Sequence, residues 1–153
     1  MSPPVPVSQL ESHLGFWLRF VSNHVSGEFK RLVEANGVSV SEWVALRQLY
    51  TAGEATATEL MDALGMTKGA VSKIITRLQD KGLVSRAAVD ADRRAQQIVL
   101  SSTGRKLVPQ LARLADANDT AFFGHLDPAL RAQLTSALQD IARIHQLKQL
   151  PVE

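Results

Sequence analysis

Leu10, Leu14, Leu18, Val21, Val25, Phe29 and Leu32 follow one another at steps of three or four, which predicts one long amphipathic helix. Pro3, Pro4 and Pro6 precede it and make residues 1–8 an arm. Gly37 follows, where a left-handed cap is wanted. Ser39-Val40-Ser41-Glu42 reads as a capping box. The helix it opens points Trp43, Leu46 and either Leu49 or Tyr50 inward and closes at Gly53. Thr56-Ala57-Thr58-Glu59 is a second box, opening a short helix with Leu60, Ala63 and Leu64 inward and Gly65 as its stop. Thr67 caps a further helix from Lys68 to about Lys81, with Val71, Ile75 and Leu78 on its buried side and Gly82 at its end.

The period then changes. Leu83–Arg86 and Gln97–Leu100 are short β-prone runs around a polar, charged stretch, which predicts a two-stranded hairpin with a long basic tip. Ser101 or Ser102 opens another long helix with Leu107, Leu111, Leu114, Ala121 and Phe122 on one side. Asp127 caps a last helix, Pro128 takes its first position, and Leu130, Leu134, Leu138, Ile141 and Ile144 form its stripe. The fold class expected is mainly α with a small two-stranded β element. Residues 37–101 form a compact unit of roughly 65 residues, able to fold alone but small. The long helices at 9–36 and 102–150 cannot all bury their stripes on it, so a partner is implied, most simply a second copy of the chain.

Composition excludes several classes. Among 153 residues there is no cysteine, which removes disulfides, thiol catalysis and cysteine zinc sites. No uncharged run exceeds ten residues, against about 20 apolar residues for a membrane helix. The first basic residue is Arg19 and no apolar h-region precedes it, so no secretory signal is expected and the chain is expected in the cytosol. The net charge of +2 conceals a division: residues 67–106 hold nine Lys or Arg against three Asp, a net +6, and leave the remainder at −4. A basic block inside a near-neutral chain suits a polyanion, although it also suits a merely solvated face.

The block falls on a structural motif. Two helices joined by the tight turn Leu64-Gly65-Met66-Thr67 form a helix-turn-helix, and Gly65 permits the bend. On the second helix Lys68, Gly69, Ser72, Lys73, Thr76 and Arg77 lie opposite the apolar side, with no acid before Asp80. Such a face can enter a major groove and meet base edges and phosphates. Thr67 stands as a donor beside the positive helix N-terminus. Asp92, Arg93 and Arg94 sit at the hairpin tip, where arginine can enter a flanking minor groove.

Thr58-Glu59-Leu60, Leu64-Gly65, Val71-Ser72-Lys73, Leu78, Gly82-Leu83-Val84-Ser85-Arg86, Asp92-Arg93-Arg94 and Leu100-Ser101-Ser102-Thr103-Gly104 together resemble the winged helix-turn-helix of MarR regulators. The departures are Ser101 for a usual Thr, Ala95 for a frequent Gly and Glu42 for a common Gln. The resemblance implies a homodimeric transcriptional regulator, often a repressor, on a pseudo-palindromic operator of double-stranded DNA. It implies that the first and last two helices dimerise. It implies a small aromatic or anionic effector between the dimer helices and the DNA-binding unit, and a wing in which Arg94 inserts while Asp92 orients it by an ion pair.

Rival readings fare less well. No Gly-rich phosphate loop, nucleophile elbow or paired acidic site points to an enzyme, and no cofactor is expected. His13 and His24, eleven apart, share a helix face about 16 Å apart, too far for one metal. A metal-responsive regulator would need dimer contacts that assemble ligands from different helices; His125 and His145 are the other two histidines. A helical interaction module that has lost DNA binding would not need the basic face. Trp17 and Trp43 read as core or interface aromatics, and Arg47 either holds a ligand carboxylate or faces solvent, so no ligand site is assigned.

Overall fold

The computed structural model describes residues 1–88 and 96–152. In chain order the elements are α1 (Leu14–Ala35), α2 (Val40–Ala52), β1 (Glu54–Ala55), α3 (Ala57–Leu64), α4 (Lys68–Asp80), β2 (Val84–Ala88), β3 (Gln96–Leu100), α5 (Ser102–Phe123) and α6 (Pro128–Ile144). Side-chain oxygens begin five of the helices. The Ser39 hydroxyl accepts from the Glu42 N–H while the Glu42 carboxylate accepts from the Ser39 N–H, a complete capping box. Thr56, Thr67 and Ser101 each accept from the N–H three residues on. Asp127 accepts from the Ala129 N–H, with Pro128 at the first helical position.

The first stripe is not one helix. Leu10 belongs to a separate 3-10 turn, Leu10–Ser12, and His13 is extended. Local bonds stabilise this break: the Ser12 hydroxyl donates to Gln9 O and the Trp17 indole donates to Glu11 O. In α2 it is Leu49 that is buried, while Tyr50 remains exposed. In α3 Ala63 is exposed and Met61 packs on the core in its place; in α5 Ala121 is exposed too. Ile74 joins Val71, Ile75 and Leu78 on the buried side of α4.

The sheet has three antiparallel strands in the order β1-β3-β2, where two were expected. Gly53, at φ 81°, turns the chain so that Glu54 and Ala55 pair with Val99 and Ile98. The hairpin register runs from Val84 opposite Leu100 to Ala88 opposite Gln96. Leu46, Leu49, Leu60, Leu64, Leu78 and Leu111 are almost wholly removed from water and join α2, α3, α4 and α5 in one core, to which α1 contributes Val33. Removing one such leucine side chain costs about 2–5 kcal/mol.

Gly104 shows how tightly α5 joins this unit. A Cβ there would stand 2.2 Å from the Leu83 carbonyl oxygen. The neighbouring Ser101 donates its N–H to the same carbonyl and its hydroxyl to Gly82 O. By contrast α6 buries no residue. Its stripe faces the outer side of α1 across an apolar cleft of about 620 Å³, bounded by Trp17, Leu18, Val21, Phe122, Leu134 and Leu138.

Candidate nucleic-acid interface

The bend between α3 and α4 depends on Gly65, whose φ of 66° is left-handed. Met61 O accepts both the Gly65 and the Met66 N–H there. The burial of Val71, Ile74, Ile75 and Leu78 fixes the rotation of α4, and the opposite face follows from the helical period. On that face Thr67, Lys68, Gly69, Ser72, Lys73, Thr76 and Arg77 are all exposed. Ser72, Lys73, Thr76 and Arg77 border a shallow groove of about 310 Å³. The first turn of α4 carries no acid to neutralise its positive end. A Cβ on Gly69 would meet nothing within 4 Å, so packing within the chain does not require a glycine there.

Asp92, Arg93 and Arg94 lie outside the described residues. The strand ends on either side of them, Ala88 and Gln96, are paired, and Arg86 is exposed on β2.

Lys81 belongs to the basic block by sequence, but its ammonium does not project outward with the others. It donates to Gly37 O at 2.9 Å and to Glu42 Oε1 at 2.9 Å, with Glu42 Oε2 at 2.8 Å. Glu42 itself is 2% exposed. Burial pushes its carboxyl up, but hydrogen bonds from Lys81 and Ser39 and the charge of the ammonium prevail and hold it below its ordinary value. The pair therefore ties the C-terminal end of α4 to the N-terminus of α2. Sequence reading missed it, although Glu42 stands on the buried line Glu42, Ala45, Leu46, Leu49, where a carboxylate needs a partner. Asn118 was missed as well: it is buried in α5 and donates to Val25 O, joining α5 to α1.

Trp17 is exposed beside the apolar cleft, and Trp43 is half-buried with its ring edge-on to Phe29 at 6.3 Å. Arg47 is exposed, donates to Thr51 on its own helix and lies over the Tyr50 ring. His24 bonds Phe20 O and His13 lies 3.3 Å from the Ser8 hydroxyl. No group of three or more potential metal ligands gathers among the described residues. No helix among them is long and apolar enough to cross a membrane.

The layout of a helix-turn-helix with a strand hairpin behind it and long helices on either side defines the winged-helix class. Residues 36–95 match the sequence model of the MarR family. The members of this family are transcriptional regulators, not enzymes. A curated relative, an HTH-type transcriptional repressor of Mycobacterium tuberculosis, is 23% identical over 131 residues, covering 86% of this chain and 94% of its own. The fold matches that of Bordetella bronchiseptica BpsR, whose DNA binding is regulated by 6-hydroxynicotinic acid, at a TM-score of 0.77 and 23% identity, over 90% of this chain and 98% of that one. An Escherichia coli MarR mutant complexed with operator DNA matches at a TM-score of 0.74 and 21% identity, over 84% of this chain and 92% of that one.

Proposed function

We propose that this chain is a homodimeric, sequence-specific regulator of transcription, acting as a repressor on a pseudo-palindromic operator of double-stranded DNA. The observation that carries this reading is the exposed face of α4, where small polar and basic side chains run without an acid from Thr67 to Arg77. In this reading Lys68, Lys73 and Thr67 hold phosphates, Ser72, Thr76 and Arg77 meet base edges, and Gly69 lets the duplex approach. Asp92, Arg93 and Arg94 form the wing tip, with Arg94 in the minor groove. The helices at 9–36 and 102–150 join two copies around the apolar cleft, residues 37–101 bind DNA, and residues 1–8 are an arm.

A small aromatic or anionic ligand releases the operator, as the BpsR likeness suggests. The histidine placement supplies no contrary metal-binding reading, and the outward basic face tells against a module without DNA. The test is selection of duplexes from a random pool by the wild-type protein, followed by footprinting on the DNA flanking its own coding region. A symmetric protected site whose affinity falls steeply with salt is expected. Failure to enrich any sequence, with equal weak binding to all duplexes, would overturn the reading.

A further inference from the structure

Beyond α6 the backbone doubles back onto the DNA-binding unit. The Leu147 N–H reaches Ala142 O at 2.9 Å and the Gln146 N–H reaches Arg143 O at 3.2 Å. Together they close α6 with Gln146 in the left-handed region at φ 54°. Such a turn normally takes glycine, so a glutamine held there marks a built change of direction. Two residues on, the chain crosses the bend between α3 and α4. A Cβ on Gly65 would stand 2.9 Å from Lys148 O and 3.0 Å from Gln149 Cα. Leu150 and Pro151 then form one wall of a cavity of about 340 Å³, whose other walls include Phe29 of α1 and Val40, Trp43 and Val44 of α2.

We propose that residues 146–152 are a strap that links this cavity to the helix-turn-helix bend. Seated, it holds the start of α4 against the end of α6. Unseating Leu150 and Pro151 from the wall shared with Trp43 lifts the strap from Gly65 and loosens α4. This deepens the reading of α4 as the DNA-binding helix and rests on it for its output, whereas the strap's seat is independent of DNA.

The chain has two tryptophans, so Trp17→Phe leaves Trp43 as the sole reporter beside the strap. In that background Leu150→Asp puts a carboxylate on the apolar wall. Trp43 emission should move to the red, and hydrogen exchange should quicken both at 147–152 and at 64–67. Affinity for the duplex selected by the wild-type protein should fall about fivefold or more. Gly65→Asn keeps a residue that tolerates the left-handed bend but adds a Cβ against the strap. It should shift Trp43 emission although residue 65 is not in the cavity. Lys148→Ala touches the bend through unchanged backbone and should leave emission and exchange as they were. Unchanged Trp43 emission in both Leu150→Asp and Gly65→Asn would overturn the seat. A shifted emission without faster exchange at 64–67 would overturn the coupling. If the wild-type protein selects no duplex, the DNA reading alone fails, and emission and exchange still decide the strap.

Discussion

Lys81 and Glu42, 39 residues apart, are bound to each other at the C-terminal end of α4, with the carboxylate buried and the ammonium half in water. Glu42 serves two masters: it completes the cap of α2 and it anchors the end of α4. Lys81→Met leaves that carboxylate without its cation and should lower stability by about 1–3 kcal/mol at neutral pH. Because the folded carboxyl lies below its ordinary value of 4.5, its contribution is complete above that pH and disappears as pH falls through the folded value. Urea unfolding of wild type and Lys81→Met at pH 7 and below pH 4.5 should therefore show a gap that narrows in acid. A gap independent of pH would exclude the linkage.

Two glycines should answer alanine with opposite signs. Gly104→Ala drives a Cβ into the Leu83 carbonyl and should cost about 1–3 kcal/mol in denaturant unfolding. Gly69→Ala meets open space in a helix, so melting temperature should hold or rise, while DNA affinity falls if a duplex approaches there. Equal affinity in Gly69→Ala would remove that glycine from the interface.

On the exposed face of α4, Ser72→Ala and Arg77→Ala should each cost about 1–3 kcal/mol of operator binding and relax preference at one base position. Lys73→Ala should weaken all duplexes alike and flatten the salt slope. Titrations against operator and scrambled duplex at several salt concentrations separate these outcomes.

For the tip of the hairpin the expectation rests on sequence. Losing Arg94 in both halves of a dimer, at about 1–2 kcal/mol each, multiplies to roughly a thirtyfold to thousandfold loss of affinity. Asp92→Ala discriminates between two roles: tighter binding would mean that the acid only repels phosphate, and weaker binding that it braces the arginine. We expect weaker binding, with melting temperature nearly unchanged in both variants.

The outer stripes predict a large apolar interface between copies. Light scattering should give twice the 16.7 kDa chain mass for wild type, and a lower mass for the double variant Leu134→Asp, Leu138→Asp. A wild-type monomer that still binds operator would defeat the dimer.

Much of this architecture was legible because helix starts are chemical. Ser39, Thr56, Thr67 and Asp127 all cap where their neighbours announce it, and Ser101 rather than Ser102 does so for α5. The 3.6-residue period likewise divided α4 cleanly, since four branched apolar residues occupy one side. Strand β1 escaped because two residues are too few to show alternation, and its partner lies more than forty positions away. The choice between Leu49 and Tyr50 turned on one helical step of about 100°, which a stripe does not resolve. The Glu42–Lys81 and Asn118–Val25 bonds are long-range matches of polar groups, decided only when the helices are packed.

Ser101 has one more consequence. Its N–H and hydroxyl fasten the first turn of α5 to Leu83 and Gly82, immediately beyond the end of α4. The 22 residues of α5 make a rod of about 33 Å clamped at that end. It is a lever that carries its load at the serine. Tilting the rod by about 5° displaces one end relative to the other by roughly 3 Å. The rise of one base pair is about 3.4 Å. With the far end held among the distant helices, such a tilt carries the serine end, and α4 with it, by nearly one base-pair step, which under the proposed function puts α4 out of step with a duplex.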